Sequence, residues 1–135
     1  MKIVGFNFNK ISVEKTSDNY KDLKINTKID VTEVKQIKSE VFQSKENLIE
    51  VKFNYSITYS PKIAEVSFSG AMLTLVDDKT AKEFIKSWKK KQFPEEHKIP
   101  LFNVILKKSN LKALELEDEL NLPLHIPLPT VKETK

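Results

Sequence analysis

The chain has 135 residues and no cysteine, and 39% of its residues are hydrophobic and 31% charged. This length suits one domain with its own core, and the missing thiols exclude disulfides, cysteine nucleophiles and cysteine-ligated metal sites. The net charge is +4, yet all 23 basic residues are lysines interspersed with 19 acidic residues. Without arginine, bidentate recognition of phosphate or guanine is excluded.

We expect one soluble domain over residues 1–135, with a frayed tail from about residue 130. The N-terminus lacks the uninterrupted apolar stretch of a signal peptide. No run approaches the ~18 apolar residues that a membrane span requires. These features predict a cytoplasmic location, which suits a chain without cysteine.

The first two-thirds of the chain alternate apolar and polar residues with a period of two, which is typical of half-buried β-strands. The first strand runs from Phe6 to Glu14, and its apolar phase flips at Lys10, which predicts a β-bulge. A turn at Asp18-Asn19 leads to a second strand, which continues less regularly over residues 34–42 before a turn at residues 44–47. The first apolar residues of that second strand share one face: Leu23, Ile25, Ile29 and Val31.

The third strand has the clearest alternation, with an apolar or aromatic residue at every second position from Ile49 to Tyr59. A hairpin-like connection at residues 60–62 leads to a fourth strand. Gly70 interrupts that strand, which indicates a bulge or the close approach of another backbone. The fourth strand also presents one apolar face: Ala64, Val66, Phe68 and Met72.

After residue 76 the apolar period becomes that of a helix. Asp77-Asp78 can cap this helix, and Thr80 with Glu83 has capping-box spacing. Apolar residues at i, i+3, i+4 and i+7 form one stripe that we expect to be core: Ala81, Phe84, Ile85 and Trp88.

A second helix is predicted from Pro100, which suits a first helical position, to about Leu114. The three prolines in residues 120–129 predict an extended strip with leucines on one side. The whole order predicts an α+β fold, a four-stranded long antiparallel sheet followed by two helices and an extended Leu/Pro-rich C-terminal segment.

The predicted helices are too short for the predicted sheet. Four long strands offer an apolar face of about 750 Å², and the two helices cover about 400–450 Å² of it. The remaining surface requires self-association, a client polypeptide or the C-terminal strip lying across it. We therefore expect a homo-oligomer.

Residues that support catalysis or metal binding are scarce. His97 and His125 are the only histidines, and neither has a second strong ligand at helical spacing, so we expect surface histidines and no metal site. The pairs Asp77-Asp78 and Glu95-Glu96 suit helix starts better than acid–base chemistry. With two glycines, the chain has no phosphate-binding loop. We expect no catalytic residues, no metal and no cofactor, and therefore no enzyme.

The run Lys89 to Lys91, beside Trp88 and Phe93, is a candidate for binding nucleic acid by charge and stacking. Lysines at the C-terminal end of a helix also compensate its dipole, and core packing explains Trp88. We prefer these structural explanations and expect no nucleic-acid partner, with a small basic nucleic-acid-binding protein as an alternative.

The order of elements resembles the SecB family of export chaperones, and its divergent archaeal-type members in particular. Residues 47–59 and 64–70 are similar to the two longest family strands, including the glycine that follows the second. The short helix at 80–88, the helix opening at Pro100 and the Leu/Pro run at 122–129 are similar to the segments that follow. The chain departs from the family in its basic composition and in stopping where members usually add a further helix.

The resemblance implies an ATP-independent holdase that binds unfolded polypeptides in a long apolar groove, serves protein export and assembles as a dimer of dimers. The alternative for the groove-lining positions is that they are core beneath the helices. The alternative function is a dedicated partner for one protein, such as a toxin–antitoxin-associated chaperone. By position, the resemblance places the client-binding residues on the second and fourth strands: Leu23, Ile25, Ala64, Val66 and Phe68.

Overall fold

The computed structural model describes residues 2–37 and 47–133. In those residues, four antiparallel strands are followed by two helices, which confirms the α+β prediction. The sheet order is β1-β4-β3-β2, so β1 joins the far side of β4 as in a Greek key. The elements are β1 (Lys2–Lys15), β2 (Lys24–Ile37), β3 (Asn47–Ser60), β4 (Ala64–Val76), α1 (Asp78–Trp88) and α2 (Glu95–Glu119).

The strand register confirms the bulge predicted near Lys10. Phe8 pairs with Gly70 and Lys10 with Ser69, so Asn9 is the extra residue. β1 begins at Lys2, four residues before the predicted start. The predicted continuation of the second strand beyond residue 37, and most of the turn predicted at 44–47, lie outside the described residues.

Gly70 allows another backbone to approach, as the sequence indicated. A Cβ atom at this position would meet the carbonyl oxygen of Asn7 and would lie 2.7 Å from Cζ of Phe53. The glycine therefore lets β1 and the Phe53 ring pack against β4 at the same point.

The helix caps agree only in part with the sequence. Asp77 caps α1, because its Oδ1 accepts a hydrogen bond from the backbone N–H of Thr80 at 2.7 Å. The helix thus starts at Asp78, and the Thr80–Glu83 spacing does not mark its start.

The predicted start and end of the second helix were wrong. α2 begins five residues before Pro100, because the N–H groups of His97 and Lys98 already bond to the carbonyl of Pro94 at 3.0 and 3.1 Å. It continues past Leu114 to Glu119, since every fourth residue keeps packing against the sheet. These buried residues are Leu101, Ile105, Ser109, Ala113 and Glu117.

The longer α2 changes how the sheet is covered. At 25 residues it is about 37 Å long, and the helix-facing side of both central strands is buried. The six alternating side chains of β3 from Ile49 to Tyr59 are each at most 1% exposed. In the described strands, the large apolar side chains that stay exposed are Val4 and Ile11, both on the edge strand β1. No helix in the described ranges is long and apolar enough to cross a membrane.

Candidate functional site

Three of the five predicted client-binding residues lie in the core. Val66 and Phe68 are fully buried and Ala64 is 7% exposed, in one apolar cluster with Ala113 of α2 and Leu122. This placement fits the alternative of core beneath the helices. A client-binding role for these residues stays a prediction that requires the covering segments to move.

The other two predicted residues, Leu23 and Ile25, are half-buried at the margin of the same cluster. They are therefore partly accessible beside β3. The structure brings all five predicted residues to one apolar cluster, against which Leu23 and Ile25 pack. We call it the second cluster and define it by its buried members: Tyr55, Ile57, Tyr59, Ile63, Ala64, Val66, Phe68, Ala113 and Leu122.

An open cavity lined by both apolar and polar residues lies elsewhere, between β2 and the connection from α1 to α2. Its volume is about 600 Å³, which is within the range of ligand pockets. We call it the aromatic groove and define it by its apolar lining: Ile29, Val31, Trp88, Phe93 and Phe102.

The groove wall is a chain of packed rings. The Phe93 ring lies 6.0 Å from that of Trp88 and 5.5 Å from that of Phe102, between ring centroids. Lys91 has a positive φ of 56°, which turns the chain after α1 and lets Phe93 fold back against Trp88. Aromatic pairs at these distances add stability beyond their buried area. The rings of the groove wall are therefore already packed against one another in the protein without a ligand.

Trp88 belongs to both the core and the groove. It packs against the first core cluster, formed under α1 and the first half of α2, but its side chain is only half-buried. The Lys91 ammonium lies 4.7 Å from the centre of its ring, which is a cation–π distance. The prediction that Ala81 and Phe84 are core is confirmed, whereas Trp88 also faces an open cavity.

The rim of the groove carries charges of both signs. Lys91 and Lys98 lie on it with Asp30 and Glu95. A mixed rim around an apolar wall does not favour a polyanion, which needs phosphate contacts from a concentrated positive surface. The groove instead suits apolar side chains flanked by polar backbone.

A buried polar network lies at the other end of α2. Glu117 is fully buried, and its carboxylate accepts a hydrogen bond from Tyr59 Oη at 2.6 Å and contacts His125 Nδ1. His125 Nε2 lies 3.1 Å from Asn110 Oδ1, which also accepts a bond from Tyr55 Oη at 2.6 Å. The pKa values of Tyr55 and Tyr59 are raised well above their ordinary range. Burial is the larger cause, and the neighbouring Glu117 carboxylate is the second.

The expectation that His125 lies on the surface was wrong. Its side chain is 3% exposed because its partner Glu117 is itself buried and needs polar contacts. Glu117 lies in the last turn of α2 and His125 lies beyond its end, and the spacing of the two residues in the sequence does not indicate that they are in contact. Across the described part of the chain, no three His, Asp or Glu side chains converge as a metal ion would need.

Sequence reasoning also missed the aromatic groove. Trp88 was assigned to the core and Phe93 to a helix break, and their contact depends on the turn at Lys91. The dense aromatic spacing Trp88, Phe93, Phe102 was the available signal. Ile29 and Val31 were correctly placed on one face of β2.

No family model matches the chain, and no curated protein matches its sequence. The fold does match a solved structure, the SecB-like chaperone Rv1957 of Mycobacterium tuberculosis in complex with a ChAD peptide from the antitoxin HigA1, Rv1956. The TM-score is 0.51 at 10% sequence identity, and the match covers 99% of this chain and 92% of that one. The element order, the sheet topology and this match together show that the chain has a SecB-like fold.

Proposed function

We propose that this protein is a molecular chaperone that binds unfolded or non-native polypeptides, without ATP, in the aromatic groove. The observation that carries the proposal is the open, aromatic-lined cavity between β2 and the α1–α2 connection. The similar fold of a chaperone solved with a bound peptide supports it.

The physical basis is apolar burial at a prebuilt wall. Each well-buried client side chain contributes on the order of 1.5–3 kcal/mol, and the aromatic lining loses little conformational entropy because its rings are already packed. β2 is an edge strand of the described sheet, and its edge beside Ile29 and Val31 offers backbone hydrogen bonds to an extended client. Binding of this kind is tolerant of sequence and responds weakly to salt.

Several parts of the proposal reach further. We infer a homo-oligomer, as a dimer or a dimer of dimers, and a cytoplasmic holdase that can serve protein export. The exposed aliphatic side chains of β1, Val4 and Ile11, support self-association, and the SecB-like fold supports the remaining parts by analogy.

A second candidate is a chaperone dedicated to one partner, such as a toxin–antitoxin pair. The matched Rv1957 structure contains an antitoxin peptide, which favours this alternative. The two candidates differ in breadth, because a general holdase suppresses the aggregation of several unrelated proteins and a dedicated chaperone that of one.

The test is aggregation suppression by wild type and a groove variant, measured by light scattering on two unrelated denatured proteins. Phe102→Ser places a hydroxyl in the groove wall and should weaken suppression at least about tenfold, since about 1.4 kcal/mol of apolar contact is lost. Leu111→Ser is the matched control, because Leu111 is on the same helix, 60% exposed and outside the groove lining. Equal suppression by Phe102→Ser and wild type would show that clients bind elsewhere.

A further inference from the structure

The segment that follows α2 is held in place through its backbone as well as through the His125 ring and the Leu122 side chain. Three side chains donate to its carbonyl groups: Lys15 Nζ to Leu120 at 3.1 Å, Tyr20 Oη to Asn121 at 3.0 Å and Tyr59 Oη to Pro123 at 2.8 Å. The N–H of His125 donates to Glu117 Oε2 at 3.1 Å. We call residues 120–126 the C-terminal strap.

These four hydrogen bonds are made to backbone carbonyl and N–H groups, which every polypeptide has. Side chains that bind carbonyls and N–H groups give affinity without requiring a sequence, as in other modes of extended-peptide recognition. The strap's own side chains add one buried apolar anchor, Leu122, which is 5% exposed and packs in the second cluster, with the partly buried Leu120 against it. The surface beneath the strap therefore has the chemistry of a peptide-binding site.

Because of Glu117, the surface beneath the strap is unfavourable when no peptide covers it. Without the strap, its buried carboxylate would lose both the ring and the backbone N–H of His125 and keep Tyr59. A buried carboxylate that loses two of its polar contacts is destabilised. The strap is therefore exchanged for another peptide with N–H donors rather than simply released.

The strap also has an accessible end. Residues 127–133 are exposed, and Leu128 is 53% exposed. A competing chain can thus replace the strap progressively, starting from the His125 side. The second cluster, with Leu122 in place, contains the residues that the sequence placed at the client groove: Ala64, Val66 and Phe68, with Leu23 and Ile25 beside them.

We propose that the C-terminal strap occupies a second peptide-binding surface in the free protein, and that an unfolded polypeptide displaces it. This inference rests on the proposed function and adds a second subsite and an internal competitor to it. The apparent affinity for clients is the intrinsic affinity multiplied by the fraction of time that the strap is released.

The first test loosens the strap by changing the strap alone. His125→Ala removes its link to Glu117 and Asn110, and Leu122→Ser removes its apolar anchor. Each variant should bind a fluorescently labelled, reduced and carboxymethylated unfolded protein about fivefold more tightly than wild type, which corresponds to about 1 kcal/mol. Leu128→Ser, beyond the contacts, is the control and should bind like wild type. Circular dichroism checks that each variant is folded.

The second test uses the wild-type protein and does not depend on the folding of a variant. Hydrogen exchange measured by mass spectrometry should become faster in residues 121–126 when the same unfolded protein is added. A synthetic peptide of residues 119–129 should compete with that probe for His125→Ala. Slower or unchanged exchange in wild type, or no competition by the peptide, overturns the inference.

The outcomes separate this inference from the proposed function. If the strap variants bind the probe no better than wild type while Phe102→Ser binds it worse, clients use the aromatic groove and the strap is only structural. If neither wild type nor the strap variants bind the probe, both proposals fail. If the strap variants gain affinity and Phe102→Ser does not lose it, the second surface is the main client site.

Discussion

At the scale of single residues, the buried tyrosines beside Glu117 predict how stability depends on pH. A raised pKa in the folded state means that the folded protein holds the phenolic proton more tightly than the unfolded chain does. For Tyr59, burial and then its hydrogen bond to Glu117 raise the pKa above the ordinary value of about 10. The corresponding stability is complete below about pH 10 and is lost as pH rises above it.

We therefore expect Tyr59→Phe to weaken the alkaline loss of stability. At pH 8 the variant should be less stable by about 1 kcal/mol, because its hydrogen bonds to Glu117 and Pro123 are lost. Between pH 10 and 11 its stability should fall less steeply than that of wild type, by up to about 1.4 kcal/mol per pH unit. Urea unfolding at pH 8, 10 and 11 measures both effects. Parallel pH curves for the two proteins would mean that Tyr59 ionises equally easily in both states.

Some residue environments could be predicted from sequence and others could not. Gly70 stood out because a glycine inside an alternating strand needs a local reason, and the reason was found. His125 did not stand out, because its burial depends on Glu117, eight positions away across the end of a helix. Polar pairs formed by tertiary packing leave no periodic trace in a sequence.

At the scale of elements, the pairing of β1 with β4 depends on the absence of a side chain at Gly70. Gly70→Ala would press a Cβ atom against the Asn7 carbonyl and the Phe53 ring, and overpacking of this kind costs about 1–3 kcal/mol. Gly5→Ala is the matched control on the neighbouring strand, since its nearest contact is the movable Cδ1 of Leu73 at 3.2 Å. Thermal unfolding should show a clearly larger loss for Gly70→Ala, and equal losses would indicate that β1 shifts freely.

The helices show that local sequence patterns do not reliably predict the residues at which a helix begins and ends. Pro100 has the chemistry of a first helical residue, yet α2 starts at Glu95 and includes the proline. Packing of Leu101 and Ile105 into the first cluster stabilises the helix, and propensity is commonly overridden by such contacts. The strands were predicted better because their alternation directly reflects the two faces of the sheet.

At the scale of the whole molecule, the fold was more predictable than the binding surface. Alternation and its change to helical period were enough for four strands followed by two helices. The aromatic groove joins Val31 to Phe102, and these residues become neighbours only through the position of α2 over the sheet. The predicted client residues were correctly placed on one face of the sheet, but the longer α2 and the C-terminal strap cover most of them.

The exposed edge of β1 predicts how copies of the chain associate. In the described residues β1 and β2 are the edge strands, and unpaired edges tend to pair with another chain unless charge protects them. β1 and β2 each carry three lysines, but β1 also exposes two aliphatic side chains, Val4 at 40% and Ile11 at 46%. We therefore expect the copies to meet along β1.

Light scattering at micromolar concentration should give wild type the mass of at least two chains. Ile11→Lys should reduce that mass at least by half, since a symmetric contact would place the two new charges near each other. Ile99→Lys is the control, because Ile99 is 69% exposed and lies on α2 rather than on β1. A monomeric wild type would remove the proposal of self-association. An oligomeric Ile11→Lys variant of unchanged mass would place the interface on another surface, with the half-exposed Leu114 and the exposed Leu111 of α2 as the next positions to change.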